Sequence, residues 1–189
     1  MGKIKKSKIL RKPVRHLNLK GVQSLFDLVQ AFQHTSFQSR NVYRCFEVFR
    51  KMLRDPECIV FLGLSGAMIP GGMRQVISDM IRMKLVDVIV STGANMFHDL
   101  FENFGFRHYV GSEEGDDDAL RRHRIVRVYD VLMDDHEINR VIHLLSKVPK
   151  ELEDKVVSSR RYLEILGGQL KDERSILRTA SQCGVPVFV

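Results

Sequence analysis

Two short stretches of small residues hold most of the chemical potential of this sequence. Val60-Phe61-Leu62-Gly63-Leu64-Ser65-Gly66-Ala67-Met68-Ile69-Pro70-Gly71-Gly72-Met73-Arg74 passes from an apolar run through a small-residue loop into a helical pattern. Val86-Asp87-Val88-Ile89-Val90 repeats that grammar and leads into Ser91-Thr92-Gly93-Ala94-Asn95. Small residues let a ligand approach the backbone closely. Free amides at the following helix N-termini favour an anion such as a dinucleotide pyrophosphate. The first loop is not G-x-G-x-x-G, because Gly63 and Gly66 are three apart; the signal lies in two such loops on consecutive strands. The alternative is that these glycines serve only tight helix–sheet packing. His98 and Asp99 follow on the first turn of the second helix. His98 suits a proton carrier or ligand contact at the cleft rim. Asp99 suits an acid interacting with the dipole of its own helix. No Ser-His-Asp order, Walker loop or zinc spacing is present, so no catalytic residue and no metal ligand is assigned.

Tandem strand–loop–helix units predict parallel strands joined by crossover helices. Both loops then emerge at the carboxyl ends of the strands, where ligands bind in such sheets. Ser65–Ala67 and Thr92–Asn95 are therefore expected side by side in one cleft. The fold class is α/β, a Rossmann-like parallel sheet with flanking helices. Upstream, residues 21–35 carry Val22, Leu25, Phe26, Leu28, Val29 and Phe32 at helical spacing. A second helix runs from about Ser39 to Leu53, with Val42, Cys45, Phe46, Val48, Phe49 and Met52 inward; Arg40 and Asn41 open it, as a local cap or ion pair or else as support for the cleft, and Asp55-Pro56 ends it. The first crossover helix begins near Gly71, with Met73, Val76, Ile77, Met80 and Ile81 as a core stripe. The second runs from about Asn95 to Phe104 and closes at Gly105.

Gly111 to Asp118 is read as an exposed acidic loop, without calcium-loop spacing. Arg124 to Leu132 reads as one short strand or extended segment, and Asp134 or Asp135 caps the helix after it. Pro149 breaks that helix. Leu152 to Leu166 follows as a helix closed by Gly167-Gly168, then a helix from Asp172 to Cys183 and a strand over residues 184–189. The functional loop of that strand would come next. The expectation is a domain incomplete at its C-terminus, either a fragment or a sheet completed by another polypeptide.

The length of 189 residues predicts one domain, written as a basic arm over 1–20 and a body over 21–189. Hydrophobic residues at 44% and charged residues at 28% fit a folded chain rather than a disordered one. No apolar run approaches the ~18 residues of a membrane span, and no signal-peptide core opens the chain; the expected location is cytoplasmic. Cys45, Cys58 and Cys183 show no metal-type pairing, and Cys45 and Cys58 read as buried packing residues. The net charge of +7 is local. Residues 1–20 hold eight bases and no acid, leaving 22 bases against 23 acids in the rest. A neutral body argues against a nucleic-acid-binding face, so the arm reads as solvated or packed on a neighbouring subunit.

The two loop motifs, together with Gly105-Phe106-Arg107-His108-Tyr109, Arg127-Val128-Tyr129-Asp130 and Gly184-Val185-Pro186-Val187-Phe188, resemble the deoxyhypusine synthase family, most of all its synthase-like branch. The resemblance runs from the basic arm to the last residue. It implies a Rossmann-like NAD-binding domain in an oligomer with shared active sites. The implied reaction transfers the aminobutyl group of spermidine to an amine acceptor, a protein lysine or a diamine. NAD takes the hydride, and the group passes through a lysine Schiff base. Carried over by motif, the NAD contacts fall on Ser65, Gly66, Ala67 and Met68 and on Thr92, Gly93 and Ala94. A pair of family glutamates at the substrate edge falls on Phe97 and His98, which removes charge attraction for a polyamine ammonium. None of Lys147, Lys150 and Lys155 matches the motif of the Schiff-base lysine. The resemblance therefore implies a second chain that supplies it, or else a non-catalytic regulatory subunit.

Overall fold

The computed structural model describes residues 10–146, 152 and 156–189. Pro149, Lys147, Lys150, Lys155 and the first nine residues, with half of the basic arm, lie outside the described residues. The chain forms two compact units, Met1–Cys58 and Ile59–Val189.

In the first unit, α1 (Leu25–Ala31) starts at Ser24, whose Oγ accepts from the Asp27 amide at 3.1 Å. Asp27 answers by accepting from the Gln23 amide at 3.2 Å, a reciprocal cap. A 3-10 turn, Phe32–His34, leads to α2 (Phe37–Met52), which begins two residues before the expected Ser39. Arg40 holds this junction by donating to Thr35 O at 2.6 Å and Ser36 Oγ at 2.7 Å. Phe26 meets Phe46 edge-on. The expected inward stripe of α2 needs correction, because Val42, Cys45 and Val48 are exposed. At 3.6 residues per turn, Val48 lies about 200° around the helix from Phe46 and Cys45 about 100°. Cys58 is half-buried, so neither cysteine is the buried packing residue expected.

The second unit contains, in order, β1 (Phe61–Leu64), α3 (Arg74–Arg82), β2 (Val88–Ser91), α4 (Gly93–Asn103), β3 (Tyr109–Val110), α5 (Asp117–Arg122), β4 (Ile125–Val128), β5 (Val131–Asp134), α6 (Asp135–Leu145), α7 (Ser159–Gln169), α8 (Ile176–Cys183) and β6 (Val187–Phe188). Strands β1, β2 and β6 form a parallel sheet with β2 central. Side chains alternate across it: Leu64, Ile89, Ser91 and Val187 are buried, while Phe61, Val90 and Phe188 face outward. Helices α3 and α8 pack on each other, as do α7 and α8. Of the stripe expected on the first crossover helix, Ile77 and Ile81 are buried, but Met73 and Val76 are exposed. An irregular turn, Ile69–Met73, precedes α3, with Gly72 at φ +84°, so the regular helix begins later and in a different phase than the spacing predicts.

A second, antiparallel sheet has the order β3–β5–β4. The stretch expected as one extended segment is a hairpin turning at Tyr129-Asp130, with Tyr129 at φ +57° and Arg127 donating to its carbonyl at 2.8 Å. The acidic stretch is only partly loop. Asp116 Oδ1 accepts from the Asp118 and Ala119 amides and opens α5. Phe101, Phe106, Met133 and Val141 form a core that joins α4 to the hairpin and α6, and Asp134 caps α6 as expected. Helix α7 begins at Ser159 rather than Leu152, and Gly167 and Gly168 lie within it rather than ending it. The reason is proximity: a Cβ on Gly167 would run into the Leu177 carbonyl of α8. Helix α8 begins at Ile176 behind a Ser175 cap, later than Asp172, and closes at Gly184 with φ +70°. Among the described residues no helix is long and apolar enough to cross a membrane.

Candidate functional site

Parallel pairing of β1 with β2 puts the ends of both strands, Leu64 and Ser91, opposite each other. The loops that follow therefore start side by side, as the sequence predicts, and they are bonded together. The Thr92 amide donates to Leu64 O at 3.1 Å, and Thr92 Oγ1 donates to Gly66 O at 2.9 Å. Asn95, fully buried, accepts from the Met68 amide through Oδ1 at 2.7 Å and donates through Nδ2 to Thr92 Oγ1 at 3.2 Å. Asn95 is expected in the cleft, but its role as the tie between the loops escapes sequence reasoning because its partner lies 27 positions away.

Ser65, Gly66, Gly93 and Ala94 are exposed, and Ala67 and Thr92 are half-buried. Gly66 takes φ +62°, a conformation that favours glycine, and nothing lies within 4 Å of where its Cβ would stand. Helix α4 offers the amides of Gly93 and Ala94 at its N-terminus, behind the Thr92 cap. One expected donor is spent: the Met68 amide belongs to Asn95. An exposed glycine cradle and a helix N-terminus at the carboxyl edge of a parallel sheet fit the phosphates of a dinucleotide.

Behind the loops lies a buried charge cluster. Arg74, 4% exposed, donates to Asp99 Oδ1 at 2.7 Å and Asp172 Oδ2 at 2.7 Å, and reaches Glu102 at 3.4 Å. Asp99 does not serve its own helix dipole as expected. Helix α4 starts at Gly93, two residues earlier than predicted, which moves Asp99 beyond the first turn where that effect acts. Its carboxylate instead accepts from Ser175 Oγ at 2.8 Å and from the Ile176 and Leu177 amides at 3.1 Å, capping α8. Burial raises the Asp172 carboxyl, but hydrogen bonds from Arg174 and Arg74 outweigh it and hold the group well below the usual carboxylate range.

Phe97 and His98, the expected substrate edge, turn toward the interior. Phe97 is half-buried against the Phe101 core, and His98 is 7% exposed. His98 Nδ1 lies 2.9 Å from His108 Nε2, and His108 Nδ1 lies 2.9 Å from Glu102 Oε1. Burial, then repulsion from His108, lowers the His98 pKa to about 4. Burial raises the Glu102 carboxyl, but the His108 hydrogen bond and Arg74 charge more than reverse this. The unfolded chain thus binds a proton at His98 between about pH 6.5 and 4 that the folded chain refuses. The contribution to stability is present above pH 6.5 and is lost as pH falls through 4. Denaturation followed at pH 5 should show uptake of about one proton that the His98→Phe variant lacks.

Residues 27–189 match the family model described as deoxyhypusine synthase. "Probable deoxyhypusine synthase 2" of Archaeoglobus fulgidus is 43% identical over 156 residues, covering 82% of this chain and 52% of that protein. "Deoxyhypusine synthase-like protein" of Coxiella burnetii (strain RSA 493) is 34% identical over 192 residues, covering 97% and 53%. The chain spans about half the length of these curated relatives. A crystal structure of a candidate deoxyhypusine synthase from Entamoeba histolytica aligns over 93% of this chain and 61% of its own, with a TM-score of 0.63 at 19% identity, a likeness of fold.

Proposed function

The chain belongs to the deoxyhypusine synthase family, and from that premise we propose that its paired loops hold NAD for transfer of the aminobutyl group of spermidine to an amine acceptor, a protein lysine or a diamine. Ser65, Gly66, Ala67 and Met68 form one side of the cofactor site; Thr92, Gly93 and Ala94 form the other. The observation that carries this reading is the bonding of the loops to each other, through Thr92 to Gly66 and Asn95 to Met68. NAD supplies the hydride acceptor when bound. The chain's own residues present backbone amides to its phosphates and keep the two loops in register.

No lysine stands in either loop. In this proposal the chain acts in a cytoplasmic oligomer whose other chain brings the reacting lysine. The same fact favours a second reading, a non-catalytic subunit that regulates a fuller relative. Calorimetry with NAD tests the shared premise. The purified chain should bind NAD, and Gly66→Val should weaken binding at least tenfold, because a β-branched residue is strained at φ +62°. Absence of binding by the intact oligomer would end both readings. Spermidine-dependent NAD reduction, measured with and without a full-length family member, then separates enzyme from regulator.

Asn95→Ala should be costly in a different way. It leaves the Met68 amide without its partner, for a loss of about 1–3 kcal/mol, and lets the loops part. Urea unfolding should register the first effect and NAD affinity the second.

A further inference from the structure

Handedness dictates which face of the parallel sheet this chain covers. Strands β1, β2 and β6 follow one another across the sheet in a single direction. A crossover between parallel strands of one sheet is right-handed in about 98% of cases. Two right-handed crossovers that step the same way put their helices on the same face. The helices obey this: α8 packs on α3, α4 and α7, and Leu64, Ile89 and Val187 are buried on their side of the sheet. The register sets Phe61, Gly63, Val88, Val90 and Phe188 on the opposite face. There Phe61 is 63% exposed, Val90 46% and Phe188 41%. A Cβ on Gly63 would meet nothing within 4 Å. All-parallel sheets have both faces covered, and a contiguous apolar patch of this kind marks an interaction site.

Topology also limits what fits over that face. A further strand beyond β6 would step in the same direction and send its helix to the side already covered. Strands added beside β1 step the other way, and their right-handed crossover helices lie over the bare face. The outer edge of β1 pairs with no strand among the described residues. The chain spans about half the length of its curated relatives, so the remainder of such a relative is about as long as this chain. We propose that the bare face and the free edge of β1 dock a second polypeptide equivalent to that remainder, with parallel strands beside β1 and the apolar stripe of a helix over Phe61, Val90 and Phe188. The inference deepens the reading of a chain that works with a partner, and rests on it for the partner's kinship alone. It also gives the partner a position. Strand order reverses at β1, so the carboxyl-end loop of the partner's adjoining strand comes up beside Ser65, on the side away from Thr92.

The probe is the portion of the Archaeoglobus fulgidus relative that this chain does not match, co-expressed with the full chain and captured through a tag on the latter. The two should purify together in equal amounts. Hydroxyl-radical labelling read by mass spectrometry should modify Phe61 and Phe188 in the chain alone and spare both in the complex. Phe61→Lys combined with Val90→Lys should abolish capture, because it buries two unpaired charges. Val90→Thr keeps the branched shape and strand preference of valine. It should weaken the complex about tenfold by burying a hydroxyl, without lowering the thermal midpoint of the chain alone. Labelling that already spares Phe61 and Phe188 in the chain alone overturns the inference, because the chain or a second copy of it then covers the face. So does failure to capture the probe, or capture that survives the double lysine variant. Calorimetry with NAD separates this result from the cofactor reading. A complex that forms through this face yet binds no NAD supports the inference and removes only that reading; a chain that binds NAD but captures nothing does the reverse.

Discussion

Asp99→Ala should lower the unfolding free energy by about 3–5 kcal/mol, the range for removing one partner of a buried ion pair, here joined by the loss of two helix-capping bonds. The carboxylate has no water to replace it: its side chain is 0% exposed. Its loss strips Arg74 of one of its two 2.7 Å contacts and also uncovers the Ile176 and Leu177 amides at the start of α8. Those effects fall on different elements, since Arg74 opens α3 and the amides open the helix leading to β6. Asp99→Asn should cost less, because an amide oxygen can still accept one of the α8 bonds. Urea unfolding with two probes, far-ultraviolet dichroism and near-ultraviolet tyrosine signal, checks the size. An alanine variant within 1 kcal/mol of the parent would contradict the reading of Asp99 as a shared anchor.

The adjacent glycines of α7 should answer in opposite directions. Replacing a helical glycine by alanine ordinarily gains about 1 kcal/mol. At Gly168 the new methyl would stand 3.6 Å from Ser181 Oγ, an ordinary contact, so Gly168→Ala should be neutral or stabilising. At Gly167 it would strike the Leu177 carbonyl and crowd Ser181 Cβ at 3.1 Å. Backbone cannot swing aside as a side-chain tip can, so the clash outweighs propensity and Gly167→Ala should lose about 3 kcal/mol. Thermal unfolding of the two variants beside the parent decides it, and equal shifts of the same sign would refute the close crossing of α7 and α8.

What the sequence disclosed and what it withheld divide by distance along the chain. Strands β1, β2 and β6 were legible because parallel-sheet strands are apolar runs bounded by small residues, and the meeting of the loops follows from pairing β1 with β2. Local punctuation read well at Gly105, Asp134 and Gly184. It misled where a nearby residue type answered to a remote partner. Gly167-Gly168 carries the signature of a helix end, but its use is to admit another helix. Tyr129-Asp130 lacks the glycine or asparagine that usually marks a hairpin turn, so alternation seemed to run straight through it. Asp99 looked like an acid for its own helix, whereas its acceptors are spent on residues more than 70 positions later. The residues of the two loops were legible as a candidate site. The partners of Asn95 and His98, namely the Met68 amide and the His108–Glu102 pair, were not, because each comes from another part of the chain.

The bond from the Met68 amide to Asn95 has a further use. That proton can trade with deuterated solvent only when the first loop lifts away from α4. Its exchange rate is therefore a gauge of how often the loop detaches in the resting protein, readable before any cofactor is supplied. A slow Met68 amide would mark a cleft that is rigid in advance of its ligand, and a fast one would mark a cleft that assembles as the ligand arrives.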